Sequence, residues 1–184
     1  MFTKTAVIAL LASALGAVRA SPIAAGDPQP NQVGYQMTEG AETLVVTKVE
    51  PYGNGTLVYW SSSDPATPAP ESGDLTPRAC GTNDITCSGD HQANFFDCYD
   101  LTIALGNDGN SILPESPRSV CYKSCCTSWS QARVGIRKAY LVFANNRIIS
   151  ECGHSNTMSG LARNVNLNQV CMTQCMSNRP TGCN

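Results

Sequence analysis

The sequence predicts an α+β fold in which two helices pack on a small, mainly antiparallel β-sheet, as a two-layer sandwich stapled by about five disulfides. Three observations predict it. Ten cysteines all lie after residue 79 of the 184-residue chain. Two segments in the same region have apolar residues at helical spacing, and several short runs between turn-forming residues are rich in β-branched and aromatic side chains. Because each such element must bury one face, two packed layers are the simplest arrangement.

The first 20 residues have the pattern of a secretory signal peptide. Lys4 precedes an apolar run over residues 6–18, and Val18 and Ala20 fit a cleavage site that would leave Ser21 at the start of the mature chain. No later stretch of the sequence reaches the roughly 18 apolar residues that a membrane helix requires. We therefore expect a secreted, extracellular protein with no transmembrane segment in its mature chain.

Three regions are expected between this leader and the first cysteine. Residues 21–40 are rich in Pro, Gly and Gln, which indicates a flexible N-terminal segment. Residues 41–60 hold two β-branched runs around Asn54-Gly55, which predicts a β-hairpin whose tip also carries an N-glycosylation sequon at Asn54. Residues 61–78 are rich in Pro and Ser, as in an extended linker. The sequence leaves open whether the hairpin joins the main sheet.

Residues 79–184 form a cysteine-rich domain. Because a secretory route is oxidising and no Cys-x-x-Cys pair is present, we expect disulfides rather than a zinc site. The cysteines expected to form them are Cys80, Cys87, Cys98, Cys121, Cys125, Cys126, Cys152, Cys171, Cys175 and Cys183. Their pairing stays open, with one constraint. Neighbouring residues of a strand point to opposite faces, so Cys125 and Cys126 should bridge to different elements.

Two helices are predicted in this domain. The first follows N-cap chemistry at residues 88–90 and stops at residues 106–109. Its helical pattern is drawn by Phe95, Cys98, Tyr99, Thr102 and Leu105. The second is drawn by Leu141, Ala144, Ile148 and Cys152, with Gly153 as its C-cap. Each helix thus places one cysteine, Cys98 or Cys152, on its apolar face. The strands that these faces should cover are predicted at residues 119–129, 165–167 and 170–176.

Several short motifs run through the cysteine-rich domain. They are the stretch from Cys80 through Cys87 to His91, Asp97-Cys98, Pro117 to Cys121, Cys125-Cys126-Thr-Ser-Trp129, and the closing residues from Cys171 to Arg179-Pro-Thr-Gly-Cys183. In these motifs the chain resembles the WD-like domain of small secreted fungal proteins, over about residues 79–184. The resemblance implies no β-propeller, no activity and no functional residues. In architecture alone, the predicted fold is more distantly similar to killer-toxin-like and necrosis-inducing effector folds.

Two histidines are the first candidates for catalysis. His91 follows Asp90 near a helix start, and His154 lies close in sequence to Glu151. Either could pair with an acid in a general base mechanism. We favour capping and surface-turn roles, because no Gly-x-Ser-x-Gly or comparable catalytic motif accompanies them. We therefore assign no catalytic residue and do not expect an enzyme.

Charged and aromatic residues give further candidates. The four aspartates Asp84, Asp90, Asp97 and Asp100 match neither a calcium loop nor a glycosidase acid pair, so no metal-binding or cofactor-binding residue is assigned. A loose basic set consists of Arg133, Arg137, Lys138, Arg147 and Arg163. Since the net charge is −2 and aromatic residues are not interleaved with this set, we expect no nucleic-acid partner. Trp60 and Trp129 are expected to pack in the core.

Three functions fit these observations. The leading one is a non-catalytic, effector- or toxin-like binding module that acts outside the cell on an unknown protein, glycan or membrane component. The first alternative is a structural protein of the cell wall or matrix, suggested by the Pro-rich arm and the sequon. The second alternative is a small secreted hydrolase that uses His91 or His154. The sequence names no cofactor.

Overall fold

The structure, a computed structural model, describes residues 31–39, 42–63, 80–114 and 117–182. Its strands are β1 (Gln36–Glu39), β2 (Glu42–Tyr52), β3 (Gly55–Ser62), β4 (Asp84–Cys87), β5 (Ala93–Asn94), β6 (Pro117–Tyr122), β7 (Cys125–Trp129), β8 (Thr157–Met158), β9 (Gly160–Leu167) and β10 (Val170–Ser177). Its helices are α1 (Phe95–Asn107) and α2 (Lys138–Cys152). The predicted α+β class, with two helices on a mainly antiparallel sheet, is confirmed. The predicted signal peptide and nearly all of the predicted linker lie outside the described residues.

Within the described residues, eight strands form one antiparallel sheet in the order β1-β2-β3-β6-β7-β10-β9-β4, and the short β5 and β8 pair separately. The β2-β3 hairpin is part of the main sheet, because β3 pairs with β6 from Leu57 opposite Tyr122 to Trp60 opposite Ser119. The segment predicted to be flexible, residues 21–40, contains β1 near its C-terminal end; its residues 21–30 and residue 40 lie outside the described part.

The hairpin turns one residue earlier than its Asn54-Gly55 pair suggests. Tyr52 and Gly55 form the last pair of the ladder, so Gly53 and Asn54 are the two loop residues. Gly53 has a φ of 55°, and a glycine with positive φ at the first loop position suits a type II′ turn. Gly55 is needed for space instead, since a Cβ atom there would lie 2.9 Å from the Tyr122 ring.

The two helices end where expected, but the first begins elsewhere. The N-cap of α1 is Asn94, whose side-chain oxygen accepts hydrogen bonds from the amides of Phe96 and Asp97. The predicted N-cap at residues 88–90 is wrong. The Ser88 hydroxyl accepts a hydrogen bond from the Asp90 amide in a local turn that precedes the helix. Gly153 is the C-cap of α2 with an ordinary negative φ. Only glycine fits there because a Cβ atom would lie 2.6 Å from the Phe95 ring.

The predicted single strand over residues 119–129 is wrong, because the structure has two strands there. β6 and β7 form a tight hairpin in which Tyr122 pairs with Cys125. The turn residues are Lys123 and Ser124, and Lys123 takes a left-handed backbone conformation with a φ of 50°. The two shorter strands predicted at residues 165–167 and 170–176 are parts of β9 and β10.

Both helices cover one face of the sheet and bury the larger core between the layers. Members of this core from the helices include Cys98, Leu101, Leu105, Leu141 and Ile148. The helices are antiparallel, since Gly109 after α1 approaches Ala139 at the start of α2, and Phe95 at the start of α1 packs beside Gly153. A smaller core lies on the opposite face, under β1 and β2, and contains Leu44, Val46, Val58, Trp60, Cys121 and Cys126.

A buried polar network fixes α2 on the sheet. The Gln174 side-chain amide donates hydrogen bonds to the Leu141 carbonyl and to the side-chain oxygen of Asn145, at 2.8 and 2.7 Å. The hydroxyl of Thr127 donates to the same oxygen of Asn145. Because buried polar groups are costly when unpaired, these bonds favour one position of α2 over the strands.

Four disulfides join described residues. They are Cys80–Cys171, Cys87–Cys152, Cys98–Cys125 and Cys121–Cys126. Cys125 bonds to α1 and Cys126 bonds to β6, which is the split that strand alternation predicts. None of the nine described cysteines is free. Cys183 lies outside the described residues.

Neither helix in the described part of the chain is long and apolar enough to cross a bilayer.

Candidate functional site

The two histidines lie away from any described carboxylate partner. His91 adopts a left-handed backbone with a φ of 52°, and its carbonyl accepts a hydrogen bond from the Asn178 amide. His154 is exposed in the turn after α2, where its backbone pairs with Thr157. Among the described residues neither imidazole has a hydrogen bond or ion pair with Asp or Glu. The hydrolase hypothesis requires that contact.

Two of the four aspartates, Asp84 and Asp97, accept hydrogen bonds from neighbouring residues and so serve local structure. Asp84 in β4 accepts hydrogen bonds from Thr82 and from Asn164 in β9. Asp97 accepts hydrogen bonds from the amide and the hydroxyl of Ser124 and so ties α1 to the β6-β7 turn. In the part of the chain that the structure describes, no group of three His, Cys, Asp or Glu side chains is placed to hold a metal ion.

The predicted basic set does not form one surface. Arg147 lies on α2 and donates two hydrogen bonds to Glu151, whereas Arg163 lies on β9 at the far side of the sheet. Lys138 is not on the surface at all, since its side chain is 3% exposed. Its ammonium group bonds to the carboxylates of Asp108 at 2.7 Å and Glu50 at 3.3 Å.

Lys138 is the buried centre of a partly exposed cluster that the sequence did not predict. The Tyr59 hydroxyl donates a 2.5 Å hydrogen bond to Glu50, and the Lys138 nitrogen lies 5.2 Å from the centroid of the Tyr59 ring. The four members, Glu50, Tyr59, Asp108 and Lys138, come from β2, β3, the segment after α1 and the start of α2. We call them the Lys138 cluster. It fastens the hairpin to the helix layer.

The Lys138 cluster keeps fixed charges at neutral pH. The hydrogen bond from Tyr59 lowers the pKa of Glu50, and hydrogen bonds from Lys138 and Ser111 lower the pKa of Asp108. Burial and the bond to Glu50 raise the pKa of Tyr59 above its ordinary value. Burial alone would lower the pKa of Lys138, but the bond to Asp108 and the neighbouring oxygens raise it. These directions keep Glu50 and Asp108 ionised and Tyr59 and Lys138 protonated near neutral pH, so the ion pairs of the cluster persist there.

The two tryptophans and the sequon occupy the expected places. Trp129 is 1% exposed in the larger core, where its indole nitrogen donates to the Pro117 carbonyl. Trp60 is buried in the smaller core against the edge of Tyr35. Asn54 is exposed at the hairpin tip and accepts a hydrogen bond from the Tyr122 hydroxyl. Glycosylation of Asn54 stays a prediction.

The most prominent candidate binding surface lies on the solvent side of the helix layer. It consists of Phe96, Tyr99 and Ile103 on α1 and Tyr140 and Phe143 on α2, which are 59%, 50%, 39%, 38% and 62% exposed. We call these five residues the aromatic face. Phe96, Tyr99 and Ile103 follow one another at steps of three and four, and Tyr140 and Phe143 at a step of three, so each set lies along one stripe of its helix. Tyr99 was expected to face the core and instead belongs here.

Disulfides hold in place both helices that carry the aromatic face. Cys98 bonds α1 to β7, and Cys152 bonds the end of α2 to Cys87 at the end of β4. Asn94 caps the first turn of α1 beside Phe96. A partner would therefore meet side chains on elements that need little ordering, and less conformational entropy is lost on binding.

Comparison with known proteins gave one match. The family model described as fungal WD-like matches residues 71–183. That span includes all ten cysteines and both helices. No curated protein and no solved structure matches the chain.

Proposed function

The chain belongs to the fungal WD-like family, and we propose that it is a secreted, non-catalytic binding module that acts outside the cell in the manner of an effector or toxin. The aromatic face is the observation that carries the proposal. Secretion is supported by the signal-peptide pattern of residues 1–20 and by disulfides that join described elements, since disulfides persist in oxidising compartments.

The aromatic face differs from the scattered apolar residues of an ordinary surface. Single exposed apolar side chains are common and need no explanation. Here five large apolar side chains share one side of two packed helices, and three of them are at least half exposed. Patches of this kind mark contact surfaces, and aromatic side chains are enriched in protein interfaces.

The charges around the aromatic face favour a protein as its partner. Asp100 and Glu151 lie on the same helices, and Arg147 is paired with Glu151. A surface that docks on anionic lipid instead carries a cluster of unpaired Lys and Arg. An apolar centre with charges of both signs at its border is the usual composition of a protein interface.

The test compares two double variants with the wild-type mature protein. Phe96→Ser with Phe143→Ser removes the two most exposed members of the aromatic face. Val33→Ser with Val134→Ser is the matched control, because these valines are 65% and 59% exposed outside the helices. Each protein carries a photo-crosslinker in place of Tyr140 and is applied to plant tissue and to competing microbes. Circular dichroism establishes that all three are folded.

We expect the wild type and the control to elicit the same response and to crosslink the same surface protein. The aromatic-face variant should lose both by about tenfold or more, as expected when two apolar anchors are removed. If that variant elicits the full wild-type response, the aromatic face is not the binding surface. Inertness of the wild type across the panel without a crosslinked protein would contradict the binding function, and so would crosslinking to lipid or to insoluble wall polymer alone.

A further inference from the structure

A cleft of about 260 Å³ opens on the side of the sheet away from the helices. Its floor is formed by β7, β9 and β10 through Ser128, Arg163 and Thr173. The neighbours of these residues along each strand, Thr127, Ala162 and Gln174, face the helices. Strand alternation therefore places the floor on the opposite side. Thr181 and Gly182 form one wall, and Glu39 of β1 holds that wall through the Thr181 hydroxyl.

Two guanidinium groups line the cleft. Arg118 uses Nε and Nη2 for its bond to Glu42, at 2.5 and 2.8 Å, so Nη1 has no hydrogen-bond partner among the described residues. Arg163 donates to the Thr86 hydroxyl and forms no ion pair with a described carboxylate. Its neighbour across the strands, Asp84, is bonded to Thr82 and Asn164 instead. No carboxylate is among the described residues that line the cleft.

The floor also presents a hydroxyl group that lacks a partner. Ser128 is 1% exposed, and its Oγ forms no hydrogen bond in the described structure. Leaving a buried hydroxyl unpaired costs folding free energy. Ser130, Thr173 and Thr181 add further hydroxyls around it. A ligand oxygen beside Ser128 would satisfy the group that the fold leaves unpaired.

We propose that this cleft binds a small carboxylate carried on a hydroxylated carbon skeleton. The two guanidinium groups supply charge-assisted donors for the carboxylate. The hydroxyls of Ser128, Thr173 and Thr181 match the hydroxyls of the skeleton. The volume of about 260 Å³ is at the small end for ligand pockets and suits one sugar-sized unit. The cleft is separate from the aromatic face, so it can be tested without reference to it.

The experiment titrates the full mature protein with glucuronate, glucose and sulfate by calorimetry and by amide shifts in NMR. Glucuronate and glucose differ in the carboxylate, and sulfate offers the charge without the skeleton. Arg163→Gln is compared with Arg147→Gln, which makes the same charge change on the helix side. Ser128→Ala is compared with Ser119→Ala, because Ser119 lies opposite Ser128, is also buried and unpaired, and does not line the cleft.

We expect glucuronate to bind and to shift the amides of residues 128–130 and 161–163. Arg163→Gln should weaken binding by about tenfold or more, and Ser128→Ala by about fivefold, because the first removes a charged donor and the second a neutral one. Both alanine variants should melt at or above the wild-type temperature without ligand. Ser119→Ala and Arg147→Gln should leave binding unchanged.

Four results would overturn the proposal. If folded wild-type protein does not bind glucuronate, the proposed site does not exist. If glucose binds as tightly as glucuronate, the site does not require a carboxylate. If sulfate binds as tightly as glucuronate, the site does not recognise the hydroxylated skeleton. A loss with Arg147→Gln as large as with Arg163→Gln would show a response to net charge alone and would also overturn it.

Discussion

The two ends of the main sheet are held by different kinds of bond. The cysteine-rich region, residues 80–182, is crossed by four disulfides in the described structure. The arm, residues 31–63, contains no cysteine. It is joined to the rest by the β3-β6 ladder, by the smaller core that Cys121 and Cys126 share with it, and by three charged contacts: the Lys138 cluster, Glu42 with Arg118, and Glu39 with Arg179. One sheet therefore has a part that disulfides brace and a part whose contacts with the rest are noncovalent and include several ion pairs.

Because of this difference, we expect the cysteine-rich region to be sensitive to reductant and the arm to be sensitive to acid. Disulfides are broken by reductant and are indifferent to mild acid. Carboxylates that accept hydrogen bonds lose them when they are protonated. Reduction should therefore act first on the cysteine-rich region, and acid should act first on the arm. The following predictions test this contrast in order of expected effect.

Reduction of all disulfides should have the largest effect. Each bridge of a small secreted domain contributes about 2–4 kcal/mol, so the loss of four exceeds the total stability of many domains. We expect cooperative thermal unfolding, followed by near-ultraviolet circular dichroism, to disappear in reduced and alkylated protein. A melting temperature that hardly changes under reductant would contradict the assigned role of the disulfides.

Single bridges should differ according to the loop that they close. Cys98–Cys125 closes a separation of 27 residues, and Cys121–Cys126 closes one of 5 within the β6-β7 hairpin. On the chain-entropy model, replacing the first pair by alanines should cost about 3–4 kcal/mol and the second about 2 kcal/mol. Urea unfolding measures both. Equal costs would mean that loop closure is not the main contribution.

Tyr59→Phe should weaken the arm by about 1–2 kcal/mol, because it removes a hydrogen bond to the charged Glu50. The matched control is Tyr122→Phe, which removes a bond to the neutral side chain of Asn54 at the exposed tip. We expect the control to cost well under half as much in urea unfolding. If the control costs as much as Tyr59→Phe, the Lys138 cluster adds nothing beyond an ordinary hydrogen bond.

Acid should have a smaller, graded effect on the arm. The pKa values of Glu50 and Asp108 are lowered by folding, so their contribution is present above their unfolded values and is lost as pH falls through the folded ones. We expect the melting temperature to fall between about pH 5 and pH 3. Lys138→Met should flatten this dependence. An unchanged pH profile in that variant would show that other groups carry the acid sensitivity.

Local sequence signals predicted the elements that local chemistry determines. The apolar spacing located both helices, and strand alternation predicted the split of Cys125 and Cys126. The turn at Lys123 was missed because it contains no Gly, Pro or Asn and uses a lysine with positive φ. The N-cap was placed too early, because Asn94 ends β5, and the pairing of β5 with β8 involves residues far along the chain.

The contacts that decide the role of charged residues were not predictable from sequence. Lys138 meets Glu50 and Asp108 across 88 and 30 residues of chain, so its burial depends on the finished topology. The cleft lined by Ser128 likewise requires the strands β6, β7, β9 and β10 and the segment after β10. The aromatic face had a detectable signal, since Phe96, Tyr99 and Ile103 share a helical stripe. Exposure of that stripe follows only from the position of the sheet.

Hydrogen exchange of the oxidised mature protein at two pH values tests the contrast between the two parts most directly. At pH 7 we expect amides of β3, residues 57–60, to be as protected as those of β7, residues 125–129, because both lie in one sheet. At about pH 3, after correction for intrinsic exchange, protection should fall in β3 and persist in β7. Equal losses in both strands, or an unprotected β3 at pH 7, would contradict the account.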